Sequence, residues 1–169
     1  MGDQIDGIRA PFLFEGVIRR AVHELKYRNL RALAPQLAGF LDDCLRRYSL
    51  PADVLVAVPL HPRRLRERGY NQSARLAGEL GKLSGLPVAE NALVRTTYAP
   101  PQVRSSGEAE RQRNVAGAFA CPRPGTVAGK RVILIDDVST SGATLNAAAG
   151  ALKDAGAASV WGLVLALEA

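Results

Sequence analysis

Arg131-Val132-Ile133-Leu134-Ile135-Asp136-Asp137-Val138-Ser139-Thr140-Ser141-Gly142-Ala143-Thr144-Leu145 decides how this chain folds. Val132 to Ile135 are apolar and mostly β-branched, which predicts a short strand buried on both faces. Two carboxylates, Asp136 and Asp137, follow at its C-terminal end. Hydroxyl residues around Gly142 come next, then Ala143 to Ala149, a run with high helix propensity. In a parallel α/β sheet, ligands bind where strand ends meet helix starts.

The turn has a legible chemistry. A helix N-terminus offers unpaired N–H groups and partial positive charge, which suit a phosphate. Gly142 lets backbone approach an anion, and Thr140, Ser141 and Thr144 can donate hydroxyl hydrogen bonds. Asp136 and Asp137 would repel a phosphate but accept hydrogen bonds from vicinal sugar hydroxyls. Diol at one end and phosphate at the other describe a ribose 5-phosphate. The plain alternative is an Asp-rich turn with a Ser/Thr helix cap. A Walker-B strand would need GxxxxGK[ST], and Gly125-Thr126-Val127-Ala128-Gly129-Lys130-Arg131 lacks the spacing and the final hydroxyl. A response-regulator receiver carries its acid pair near the N-terminus, not before one last helix and strand.

Working outward, Ser159 to Leu167 predicts a final strand, and Asp53 to Val58 the first clear buried one. The latter runs into the basic loop Pro59-Leu60-His61-Pro62-Arg63-Arg64-Leu65-Arg66-Glu67-Arg68, stiffened by two prolines. Arginines there suit a multi-oxygen anion, although a solvated basic turn is the rival reading. Helix resumes through Ala74, Leu76, Ala77, Leu80 and Leu83 and stops near Gly85. Short strands are expected at Leu93 to Arg95 and Ala118 to Ala120, with a long polar loop, Thr96 to Arg113, between them. On the N-terminal side, Val17, Ile18, Ala21, Val22 and Leu25 predict an amphipathic helix over Phe12 to Asn29 with a solvated basic face. A second helix over Leu30 to Tyr48 turns Leu33, Leu37, Phe40, Leu41, Cys44 and Leu45 inward. Residues 1 to 11 show no strong periodicity.

The chain has 169 residues, enough for one domain that buries roughly 70% of its unfolded surface. A net charge of +6 suggests anionic partners. Cys44 and Cys121 are far apart with no CxxC, which argues against a disulfide framework or zinc site. Charges interrupt the early apolar residues, and no run approaches the ~18 residues of a membrane span. The expected setting is cytoplasmic.

The organising stretch resembles the phosphoribosyl diphosphate (PRPP) motif of type I phosphoribosyltransferases: an apolar strand, two acids, then T-[ST]-G-[AG]-T. The resemblance implies an α/β fold, a mostly parallel sheet flanked by helices with a small N-terminal helical hood. It implies that Asp136 and Asp137 hold the ribose hydroxyls and, largely through substrate, Mg²⁺. Val138, Ser139, Thr140, Ser141, Gly142, Ala143 and Thr144 would complete the ribose and 5′-phosphate site; Ser141 stands where Thr is more usual. The order of His23-Glu24-Leu25-Lys26-Tyr27-Arg28, the Pro59 to Gln72 block, Gln102, Arg111 to Phe119 and the PRPP stretch is similar to the ComF (competence protein F) family. Members usually begin with a Cys-rich zinc segment, which is not carried over without a CxxC. The implied division is a hood at 1–50 and a phosphoribosyltransferase-like core at 51–169 within one compact domain.

The resemblance further implies displacement of pyrophosphate from C1 of PRPP by a nucleophile, with electrostatic positioning as the protein's main task. Pro59, Leu60, His61, Arg63 and Arg64 match the pyrophosphate loop, where a non-proline cis peptide is frequent in such enzymes. Thr96 to Arg113 matches the loop that closes over PRPP; Arg104 is a candidate pyrophosphate ligand there, and Arg111 a candidate catalytic group beside Asp136 and Asp137. Nothing selects the acceptor. Two functions stand: phosphoribosyl transfer to an unidentified nitrogen acceptor, or a non-catalytic accessory of DNA uptake sensing a nucleotide at the same site. Arg63, Arg64, Arg66 and Arg68 predict weak, non-specific DNA binding. A homodimer and a DNA-uptake helicase partner are further expectations from the family.

Overall fold

A computed structural model describes residues 3–27, 31–97 and 117–169. The chain enters on strands β1 (Gly7–Arg9) and β2 (Phe12–Leu13), followed by α1 (Gly16–Tyr27), a 3-10 turn (Arg31–Leu33) and α2 (Ala34–Arg47). β3 (Val54–Ala57), α3 (Pro62–Arg68) and α4 (Gln72–Ser84) come next. After β4 (Val94–Arg95) and β5 (Phe119–Ala120), the chain ends in β6 (Arg131–Ser139), α5 (Ala143–Asp154) and β7 (Ser159–Leu167). The main sheet runs β1-β7-β6-β3, β2 also pairs with β7, and every pairing is parallel. β4 and β5 form a separate antiparallel pair.

The apolar run at 132–135 sits at the middle of this sheet because it can bury both faces. Ile133 and Ile135 pack with α1, α2 and α4 through Leu25, Leu41, Leu76 and Leu80. Val132 and Leu134 pack with α5 through Leu145, Ala148 and Leu152. These side chains are fully buried, and each Leu, Ile and Val among them is worth roughly 1.5–3 kcal/mol. Asp137 continues the Ile133/Ile135 face by period-two alternation, which aims it at α1 and α4.

The expected parallel α/β architecture is found, with several differences in detail. The strand does not end before the acids. β7 stays apolar to Leu167 and pairs with Val138 and Ser139, so β6 runs on to Ser139. Residues 7–9 form a strand that periodicity did not announce. Gly7 is required there because a Cβ would collide with the Trp161 ring. Arg9 lies between the Tyr48 and Trp161 rings, 5.2 and 5.0 Å from their centroids. Asp6 ties the same segment down, accepting from Lys153 Nζ (2.8 Å) and the Val160 amide (2.7 Å). Phe12 belongs to β2 rather than to the first helix, and Phe40, expected inward, is 44% exposed with its ring edge-on to Phe12. Val17 and Leu83 are likewise exposed rather than core. The basic loop is largely helix: Pro62 opens α3, and Gly69 at φ 86° stops it. No cis peptide bond occurs among the described residues, so that family feature is not found at Pro59 to Arg68.

Candidate functional site

Asn71 builds one wall of the site. Its Oδ1 accepts from the Ser73 and Ala74 amides, capping α4, and its Nδ2 donates to the Val58 carbonyl at 3.1 Å. The first turn of α4 is thereby fixed against the end of β3. From that turn the Ser73 hydroxyl donates to Asp136 Oδ1 (2.8 Å), and Gln72 Nε2 donates to Asp137 Oδ2 (3.2 Å). Backbone supplies two more bonds: the Asp137 amide to Asp136 Oδ1 and the Val138 amide to Asp137 Oδ1. Lys26, from the last turn of α1, places Nζ 3.1 Å from Asp137 Oδ2. Arg68 donates to Gln72 Oε1 at 2.7 Å and lies over the Tyr27 ring at 5.6 Å. The basic face of α1 is therefore not simply solvated.

Burial, and next the neighbouring Asp137 carboxylate, push Asp136 up to about 7, against the pull of Ser73, the Asp137 amide and Lys26. The raised value has a fixed sign for stability. Its contribution is fully present below the ordinary value of 3.8 and is lost as pH rises through about 7. The melting temperature of the empty protein is thus expected to fall from pH 5 to pH 8 more steeply than that of Asp136→Asn. Thermal melts across that range check it; parallel profiles for the two proteins would contradict it.

The other end of the site is formed by the turn that opens α5. Gly142 sits at the N-cap with φ 77°, a conformation that glycine adopts without strain, and offers no capping side chain of its own. Ser141 Oγ accepts a long bond from the Ala143 amide (3.4 Å). Thr140 is exposed, and Ser141, Ala143 and Thr144 are half-buried. Asn146 Oδ1 accepts from the Gln4 and Ile5 amides, 2.6 and 3.1 Å away, which anchors α5 to the N-terminal segment. Val138 and Ser139 lie in β6, and Ser139 is buried, so the turn itself is Thr140 to Gly142.

On the opposite side, Pro59 and Leu60 lead to His61, whose Nδ1 accepts from the Arg63 amide and caps α3. Arg63 pairs with Glu67 on the surface at 3.4 Å, while Arg64 is half-buried. Arg95, not singled out from sequence, extends this basic edge. Burial and then Arg64 lower its pKa from the usual guanidinium range, and Asp136 opposes them. Its guanidinium lies 5.3 Å from the Phe119 ring centroid. No sequence signal could assign it, because a two-residue strand is too short to give it a face. Arg104 and Arg111, with the expected closing loop from residue 98 on, fall outside the described residues.

The donor set does not fit a divalent ion held by protein carboxylates. Asp137 Oδ1 is taken by backbone, and Oδ2 by Gln72 and Lys26. Among the described residues only Asp136 Oδ2 of the four oxygens is without a hydrogen bond, and no group of three or more potential ligands occurs. An octahedral Mg²⁺ needs more.

Residues 72–168 match the family model described as Phosphoribosyl transferase domain. The chain is similar to competence protein F of Haemophilus influenzae, 31% identical over 86% of this chain and 66% of that protein. It is 35% identical to the DNA utilization protein YhgH of Salmonella typhi, over 82% of this chain and 62% of that one. Similarity to competence protein ComFC of Streptococcus pneumoniae is 29%, covering 90% and 64%. The chain thus spans slightly less than two thirds of the length of these relatives. In fold it resembles glutamine phosphoribosylpyrophosphate (PRPP) amidotransferase from B. subtilis complexed with ADP and GMP. The TM-score is 0.52 at 23% identity, over 79% of this chain and 26% of that one.

Proposed function

Because this chain belongs to the phosphoribosyl transferase domain family, as a ComF-type member, we propose that it binds PRPP and transfers the phosphoribosyl group to a nitrogen nucleophile. One observation carries the reading. A hydrogen-bonded acid pair and a glycine-started helix N-terminus lie on one short stretch toward the C-terminal end of the central strand. The acids accept from the ribose diol, and the Thr140 to Thr144 turn donates to the 5′-phosphate. Arg64 and Arg95 supply positive charge beside the acids, where departing pyrophosphate needs it. The C1–O bond breaks with its electron pair leaving on pyrophosphate. The new C1–N bond forms from the acceptor's lone pair, and the acceptor's proton passes to solvent. Mg²⁺, if present, enters on the ligand's own oxygens.

A pyrophosphate-release assay with PRPP, Mg²⁺ and a panel of bases and amines tests the transfer. One acceptor is expected to stimulate release. Saturable PRPP binding without release for any acceptor would instead support a nucleotide-sensing accessory, the reading that the relatives' competence and DNA-utilization names favour. Either reading is set in the cytoplasm, where Cys44 and Cys121 stay as the free thiols they are here.

DNA binding is expected to be weak. Of the four clustered arginines, Arg63 is paired with Glu67 and Arg68 is held by Gln72 and Tyr27. Fluorescence anisotropy at two salt concentrations should give a log–log slope near −0.9 per phosphate contact, and PRPP should compete. Tight, sequence-selective binding that persists in high salt and ignores PRPP would contradict this.

A further inference from the structure

We propose that Lys26 is a positioning residue of this site. Its ammonium is a resident cation that compensates the acid pair in place of a metal held by the carboxylates, so that a ribose 5-phosphate group binds without divalent metal. The inference rests on the phosphoribosyl reading above.

Two adjacent carboxylates at a strand end, one of them 3% exposed, need a compensating charge before they can accept a diol that carries phosphate beside it. Lys26 provides it from a different element. Its Nζ stands 3.1 Å from Asp137 Oδ2, and its side chain is only 26% exposed. The carboxylate that it meets is itself held by neighbouring groups. Gln72 donates to the same carboxylate oxygen, Arg68 holds Gln72 from the far side, and the Arg68 guanidinium covers Tyr27, the residue after Lys26. The Tyr27 ring lies 4.7 Å from that of His23, one turn back on α1. The last turn of α1 therefore meets the acid pair through the Lys26 ion pair, and through Tyr27 it meets the Arg68 that holds Gln72. A Lys on a helix face that merely met solvent would need neither.

The arrangement also explains the metal-poor donor set. An ammonium at this distance occupies the side of Asp137 from which a cation would approach and repels a second one. A carboxylate oxygen can still accept from a sugar hydroxyl while it pairs with lysine, because each oxygen has more than one lone-pair direction. What Lys26 excludes is a divalent ion on the carboxylates, not a diol.

Calorimetric titration with ribose 5-phosphate tests this in the wild-type protein, Lys26→Met and Lys26→Arg, each in Mg²⁺ and in EDTA. Wild-type affinity is expected to change less than about 3-fold on chelation. Lys26→Met should lose at least ~10-fold in EDTA and recover part of it in Mg²⁺, because the metal can then approach the vacated carboxylate. Lys26→Arg, which keeps the charge, should stay within about 3-fold of wild type in both. A methionine of similar length preserves packing, and a thermal melt confirms folding. Wild-type binding that collapses in EDTA, or Lys26→Met binding as wild type does in EDTA, would overturn the proposal while leaving the phosphoribosyl site standing. No binding by wild type in either condition would sink the phosphoribosyl reading and this one with it.

Discussion

Replacing Asp136 and Asp137 together by asparagine is expected to weaken PRPP binding about 100-fold while the protein stays folded. Each charge-assisted hydrogen bond from a ribose hydroxyl contributes ~1.5–3 kcal/mol, and asparagine keeps the shape but not the charge. Two such losses bring the effect to two orders of magnitude or more. The fold should survive because the pair is not part of the apolar packing on either face of β6. The single variants should separate. Asp136→Asn relieves a carboxylate that burial and its neighbour penalise, so it should stabilise the empty protein at pH 8. Asp137→Asn leaves Lys26 beside a neutral amide and should destabilise it. Calorimetry with PRPP and thermal melts of all three variants measure both effects. Unchanged affinity in the folded double variant would mean that the acids serve the fold alone.

Gly142→Val is the second large effect. A β-branched residue at φ 77° costs ~1–2 kcal/mol. A Cβ at this position would also lie 3.3 Å from Ile8 Cδ1, so β1 or the turn must give way. Together these predict a loss of about 2–3 kcal/mol and a melting temperature lower by roughly 5–10 °C. The new Cβ lies against Ile8, so a loss of ribose 5-phosphate affinity is expected through displacement of the α5 amides. We expect at least a ~10-fold loss. A destabilised variant that binds as wild type does would show that the phosphate is held elsewhere.

The sequence made the middle of the sheet and the glycine turn that opens α5 legible for a physical reason. Both are local. Val132 to Ile135 announce burial on two faces, and the glycine-started helix after two acids carries its chemistry in consecutive residues. What it did not show depends on contacts across the chain. Gly7 to Arg9 form a strand only because β7 offers an edge and Trp161 fills the space above Gly7. The acids sit inside the strand because β7 stays apolar for long enough to pair with Ser139. Lys26 reads as a surface lysine because it follows Leu25, the last residue of an apolar stripe. Only the packing of α1 over α4 and β6 reveals its carboxylate. Arg95 is similar: two residues of strand give too short a pattern to assign it a face.

The most direct measurement is a heteronuclear NMR titration with ribose 5-phosphate that follows the backbone amides. Saturable shifts centred on Thr140 to Leu145, with Ser73 and Asp137 moving together, are the expected result. The first α5 amides would meet the phosphate, and the Ser73 and Asp137 amides report on the hydrogen-bonded acid pair that would meet the diol. Saturable binding that leaves Thr140 to Leu145 unmoved, or no binding to the folded protein, would contradict a phosphoribosyl site at the end of β6.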